Sequence, residues 1–314
     1  MDYSLGPFSD RTERLLTQLE QTLEVAHSHT KHLPTELWHY TSADGIRAII
    51  DTGRIRLSHA RFLNDPTEVV FGWDVVRDAL DAAIAAATNL KPFFEMTREV
   101  AGDVYHKTHY FTFCLSARPD SLSQWRAYGG GGEGYSLGFD SGRILTTTEP
   151  DVTCVLARMR YADEDRKALL QLGLNAAKKF FAKLLRDEVA QPERLGIAHR
   201  ANVLLSKFMM VAALSFKNPS FEDEQEWRLV AGLHRDEPSA EPLLREVAFR
   251  SGASIVKPYL DLPLKPETKR LPIAKIMFGP TLRPALTQES LEFFLARRGY
   301  SDVPVEKSNV PLQA

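Results

Sequence analysis

The sequence predicts an α+β fold, strands of one sheet with helices gathered in blocks, and three observations carry that expectation. Runs rich in aromatic and β-branched residues, such as Tyr110-Phe111-Thr112-Phe113-Cys114-Leu115-Ser116, recur along the chain and read as strands. Helical periodicity is concentrated in long stretches, above all from Asp163 to Lys217. Strands and helices do not alternate as regular βαβ units. With 314 residues, 44% of them apolar, the chain can bury a substantial core.

Residues 9–31 form an amphipathic helical pattern opened by Ser9 and Asp10, with Leu15, Leu16, Leu19 and Leu23 as its stripe. Leu37 to Ser42 reads as a short strand leading into a helix over Gly45 to Thr52, which Gly53 stops in the left-handed conformation. A strand over Ile55 to Ser58 and a loop over Arg61 to Pro66 follow, then helices over Thr67 to Ala87 and Pro92 to Tyr105. The aromatic run at Tyr110 comes next, with Gly134 to Phe139 expected as its partner strand and Val152 to Tyr161 as another. The helical stretch, broken near Pro192, falls between strands of one sheet and reads as an inserted subdomain. The remaining strands are expected at 226–233, Glu246 to Phe249, Ile255 to Leu260, Ile273 to Phe278 and Val303 to Lys307, with a helix over Glu289 to Arg298 ending at Gly299. This divides the chain into an N-terminal helix, 1–34, and a single α+β domain, 35–314, carrying a helical insertion at about 163–217.

The most informative local feature is Glu224-Gln225-Glu226-Trp227-Arg228-Leu229-Val230. Read as a strand, its period of two places Glu224, Glu226 and Arg228 on one face and Gln225, Trp227 and Leu229 on the other. A half-exposed strand also alternates in this way. A second feature, strand-end His39 with Tyr40 and Thr41, raises the interest of the first.

Strand ending in His and Thr, helix, Gly and strand resembles the opening of ADP-ribosyltransferases, and Glu224-x-Glu226 resembles their later Glu-x-Glu strand. The resemblance implies a split β-sheet core in which His39 holds the adenosine-side ribose of NAD, the backbone beside it at Tyr40 and Thr41 clamps the nicotinamide amide, and Glu226 holds the nicotinamide-side ribose. The blocks Trp38-His39-Tyr40-Thr41-Ser42, Arg61 to Pro66, Ser121 to Gly129 and Glu226 to Val230 are also similar to a mostly bacterial family, domain of unknown function 2971, over roughly residues 35 to 310. That family brings no activity with it, and the middle motif of the best-known transferase subclasses has no counterpart here.

On this reading Glu226 stabilises oxocarbenium character as the N-glycosidic bond to nicotinamide breaks. Glu224 orients or deprotonates the nucleophile, and Arg228 keeps a carboxylate ionised. Arg61 is a candidate for the pyrophosphate, because a planar guanidinium matches it bidentately. Ser121-Leu122-Ser123-Gln124 fits a capping box opening a short helix, so Gln124, Arg126 and Tyr128 are candidates to border the cleft. Gly134-Tyr135-Ser136-Leu137-Gly138 has the spacing of a nucleophile elbow, but no helix follows it, so Ser136 reads as a strand residue. Gly129 to Gly132 reads as a hairpin connection, and His27, His29 and His32 lack the partners of a metal site.

A net charge of −2 and a pI near 6.5 disfavour a protein that coats nucleic acid. Cys114 and Cys154 read as reduced core thiols, and the polar N-terminus has no signal-peptide pattern, so a cytoplasmic protein without a membrane span is expected. The expected function is transfer of ADP-ribose from NAD to an unknown acceptor by a bacterial toxin or phage-defence effector. A non-catalytic nucleotide sensor is the alternative. A third reading is a metal-dependent nuclease or hydrolase using Asp65, Glu68 and Glu224. The N-terminal helix is a candidate for self-association into a homo-oligomer.

Overall fold

The computed structural model describes residues 10–28, 33–63, 65, 67–130, 133–144, 154–186, 191–252, 254–262 and 270–311. Within it the chain runs α1 (Asp10–Ser28), β1 (Glu36–Thr41), α2 (Ala43–Thr52), β2 (Ile55–His59), α3 (Thr67–Ala86), α4 (Lys91–Lys107), β3 (Thr108–Ser116) and α5 (Leu122–Tyr128). It continues with β4 (Tyr135–Asp140), α6 (Ser141–Ile144), β5 (Cys154–Arg158), α7 (Asp163–Arg186), α8 (Gln191–Leu214) and β6 (Glu226–His234). Last come α9 (Glu241–Arg245), β7 (Ala248–Ser251), β8 (Val256–Leu262), β9 (Ile273–Phe278), α10 (Pro284–Arg297) and β10 (Val305–Lys307). The expected α+β class is observed. His29 and His32 of the histidine cluster, and parts of the Asn64-Asp65-Pro66 and Gly129 to Gly132 loops, lie outside the described residues.

Among the described residues ten strands form one mixed sheet in the order β10-β9-β4-β1-β3-β2-β8-β7, with β6 and then β5 branching from β3. Along its full length β3 pairs with β6 on one edge, so β1 and β2 share the other. There β1 meets β3 at Trp38 and Ser116, and β2 meets it at Thr112 and Phe111. Between these two contacts the sheet is split. The expected pairing of Gly134 to Phe139 with the aromatic run at Tyr110 is not made; β4 lies instead between β1 and β9. A strand pattern specifies which face is apolar, and several neighbours satisfy the same pattern.

One face of the sheet packs on α2 and α10 in a core that includes Leu37, Ile49, Phe113, Leu229 and Leu291. Ser42 caps α2 through the Gly45 N–H, and Gly53 ends the helix at φ 61°, as the sequence predicts. A second core lies within a helical layer built from α1, α3, α4, α7 and α8, with Leu16, Leu19 and Leu23 of α1 buried in it. The helical pair α7 and α8 therefore shares its core with α1, α3 and α4. At its centre α8 packs against α1, α3, α4 and α7 and is apolar around much of its circumference, which explains the weak amphipathic pattern of its sequence.

Candidate functional site

Alternation along the strands assigns faces around the split. Leu37 and His39 lie with Phe111, Phe113 and Leu115 over the sheet core, whereas Trp38 and Tyr40 share the other face with Cys114, Ser116, Glu226 and Arg228. A cavity of about 720 Å³ is bordered by residues of both faces and by the free stretch of β3 between β1 and β2. That volume lies in the range of small-molecule and cofactor sites, roughly 300–1,000 Å³.

His39 stacks on Phe113 at 4.2 Å between ring centroids, and its Nδ1 lies 2.9 Å from the Cys114 carbonyl. A carbonyl only accepts, so Nδ1 carries the proton. Burial lowers the imidazole to about 4, which leaves Nε2 as a bare acceptor at neutral pH. Thr41 ends β1 beside Gly45, whose missing Cβ makes room for the Thr41 hydroxyl. Any side chain at Gly45 would displace it.

The acid end of the cavity is a compensated charge network. At Gln225 the backbone is left-handed, φ 43°, and it separates a short 3-10 turn, Pro219–Glu224, from β6. Glu224 is therefore not on the strand with Glu226 and Arg228, as alternation predicts. It reaches the same face through this turn. Lys217 Nζ donates to Glu224 Oε2 at 2.5 Å and to Glu226 Oε2 at 2.7 Å, and lies 3.6 Å from Glu68. Arg228 donates through Nε to Glu226 Oε1 and through Nη2 to Glu68 Oε2, each at 2.7 Å, and also bonds the Leu214 carbonyl. Burial pushes Glu226 up, but Arg228 and Lys217 outweigh it and hold the carboxyl at about 2. Both cations are driven above their ordinary range by the carboxylates, against the cost of burial.

Backbone contacts fix the network in place. The Glu226 N–H donates to the Tyr161 hydroxyl, and buried Arg166 donates to the carbonyls of Tyr161 and Lys217 at 2.6 Å each. Asp65 caps α3 through Thr67, which sets the helix that carries Glu68. Both oxygens of Glu226 are occupied and its side chain is 6% exposed. Glu224, 13% exposed, has Lys217 on one oxygen and the Tyr128 hydroxyl on the other at 3.3 Å. Burial, with Glu224 close by, pushes Tyr128 up to about 12, so it stays a proton donor.

The structure brings together His39, Thr41, Gln124, Tyr128, Glu224 and Glu226 around this cavity. Tyr40 reaches it only as a wall, because its hydroxyl donates to the Arg118 carbonyl and accepts from the Ser121 N–H. That second bond replaces the expected capping box, and Gln124 is buried at the cavity instead of reaching back to Ser121. Arg126 is exposed and does not border the cavity. Nor does Arg61, which stacks over Tyr105 and bonds its carbonyl on a different part of the surface. The guanidinium expected for a pyrophosphate is thus used elsewhere. Sequence reasoning misses Lys217: it closes a helical run and precedes Asn-Pro, and nothing local marks it as the hub of Glu68, Glu224 and Glu226.

These features define an α+β protein with a ligand-sized cleft in a split sheet. Residues 124–229 match the family described as a protein of unknown function, DUF2971, so the resemblance to that family read from the sequence is borne out over this segment. The segment spans Gln124, Tyr128, Tyr161, Lys217, Glu224, Glu226 and Arg228, whereas His39 and Glu68 lie outside it. No curated protein and no solved structure matches the chain.

Proposed function

We propose that the chain is an NAD-consuming enzyme of the ADP-ribosyl-transfer type. The observation that carries this reading is the split sheet, in which His39 in the second half of β1 and the Glu224 to Arg228 network face a single cavity. His39 Nε2 accepts a ribose hydroxyl. Glu224, whose carboxylate Lys217 holds through one oxygen and Tyr128 meets only loosely at 3.3 Å through the other, faces the nicotinamide-side ribose and stabilises the oxocarbenium character that develops there. Glu226 serves a positioning role, because its charge holds Lys217 and Arg228. The glycosidic C–N bond breaks with its electron pair leaving on nicotinamide. The acceptor's lone pair forms the new bond to the same carbon, and the acceptor's proton passes to Glu224.

Release of nicotinamide from NAD by the purified protein, with and without a bacterial lysate as acceptor, tests the reading. Release that requires lysate and falls by at least about a hundredfold in Glu224→Gln is expected. Absence of release under both conditions would overturn it.

The occupied oxygens of Glu226 favour a second reading, a nucleotide sensor that retains the cleft without turnover. NAD binding without nicotinamide release would select it. The metal-dependent reading has less support: Lys217 stands at the centre of Glu68, Glu224 and Glu226, where a cation would be needed, and Asp65 is engaged as a helix cap.

A further inference from the structure

The opposite end of the cavity is built by β2, β8 and β7. Ile55, Leu57, Leu260 and Leu262 of this ribbon enter the core, so alternation turns Arg56, Asp261, Tyr259, Lys257 and Arg250 to the other face. Arg250 and Lys257 are directly opposed in the β7–β8 register, and both border the cavity, as does Arg54 just before β2. Like charges at opposed positions destabilise a sheet. Among the described residues no carboxylate pairs with Arg54, Arg250 or Lys257; the Arg250 guanidinium makes a weak contact to Ser58 Oγ at 3.4 Å. Arg56, on the same face, is handled differently. Asp261 closes its guanidinium with two bonds at 2.8 and 3.0 Å, and its plane lies 4.0 Å from the Tyr259 ring centroid. One arginine of the strip is neutralised and three neighbouring cations are left open toward a cavity.

We propose that Arg54, Arg250 and Lys257 form a phosphate-binding strip that takes the phosphate groups of a nucleotide ligand. A guanidinium and an ammonium side by side can share the oxygens of one phosphate or span two, and the bound anion removes their mutual repulsion. The inference rests on the proposed function only in taking this cavity as the ligand site. It assigns the anion contact that Arg61 does not make. The same phosphate chemistry is carried by a free nucleotide and by the backbone of a single-stranded nucleic acid.

Calorimetric titration with ADP, inorganic pyrophosphate, adenosine and a short single-stranded oligonucleotide, of the wild type and of the double variant Arg250→Gln/Lys257→Gln, tests the strip. Binding of ADP and pyrophosphate should weaken by about tenfold or more in the variant while adenosine is unaffected. A loss confined to the oligonucleotide supports the strip and identifies nucleic acid as the source of the phosphate. Equal binding of every phosphate probe by both proteins, binding of none by the wild type, or a parallel loss of adenosine overturns it. Arg250 is exposed and Lys257 half-buried at the edge of the sheet, and thermal unfolding verifies that the variant is folded. ADP binding through the strip without nicotinamide release would leave this inference standing while the transfer reading fails.

Discussion

The two ends of the cavity treat charge in opposite ways. At the acid end Glu68, Glu224 and Glu226 enclose Lys217 and Arg228, and every buried charge has a partner of opposite sign. At the basic end Arg54 and Arg250 are exposed and Lys257 is half-buried, and none of them pairs with a carboxylate among the described residues. A buried charge without a partner is too costly to keep, so compensation at the acid end is a condition of folding. Solvent screens an exposed cation, so the strip can stay unpaired until a ligand arrives. The acid end consequently holds geometry, and the basic end holds unused affinity.

The largest effect should come from breaking the compensated end. Arg228→Met leaves Glu226 and Glu68 buried without their guanidinium and should cost about 3–5 kcal/mol, read by urea unfolding. Acid titration asks the same question without a mutation. Glu226 is held near 2 in the fold against an ordinary value of 4.5, so between these pH values the unfolded chain takes up a proton that the folded chain does not. Its stabilisation is complete above about pH 4.5 and is lost as pH falls toward 2, on the order of 3 kcal/mol, and Glu226→Gln should flatten the unfolding curve in that window. Gln225→Val forces a β-branched residue into a left-handed backbone, and should cost about 1–2 kcal/mol and displace Glu224, whereas Gln225→Gly keeps both stability and nicotinamide release. At the basic end the sign reverses. Arg250→Gln/Lys257→Gln relieves repulsion and should raise stability by about 0.2–1 kcal/mol in the absence of ligand, measured by thermal unfolding.

The sequence made the acid end legible and the basic end obscure. Glu226 and Arg228 stand two apart on an apolar strand, a local signal that survives folding because strand alternation is itself local. Alternation places Glu224 on the right face for the wrong reason, since a left-handed residue at Gln225, which no glycine announces, brings it there. Glu68 on α3 and Lys217, three residues beyond α8, join the network through tertiary packing, and no periodicity encodes such a meeting. The β2, β8 and β7 strip unites residues 54 and 257, far apart in the chain, through a register that sequence alternation leaves open. Arg61 illustrates the reverse error: a chemically suitable side chain in a promising block that the fold turns toward Tyr105.

Nicotinamide release and NAD affinity, measured together on the wild type and Glu224→Gln, bear most directly on the claim that this cleft cleaves NAD. The account predicts turnover by the wild type and a variant that binds NAD with similar affinity yet releases nicotinamide at least about a hundredfold more slowly. A wild type that releases no nicotinamide, whether or not it binds NAD, or a Glu224→Gln variant as active as the wild type, would contradict it.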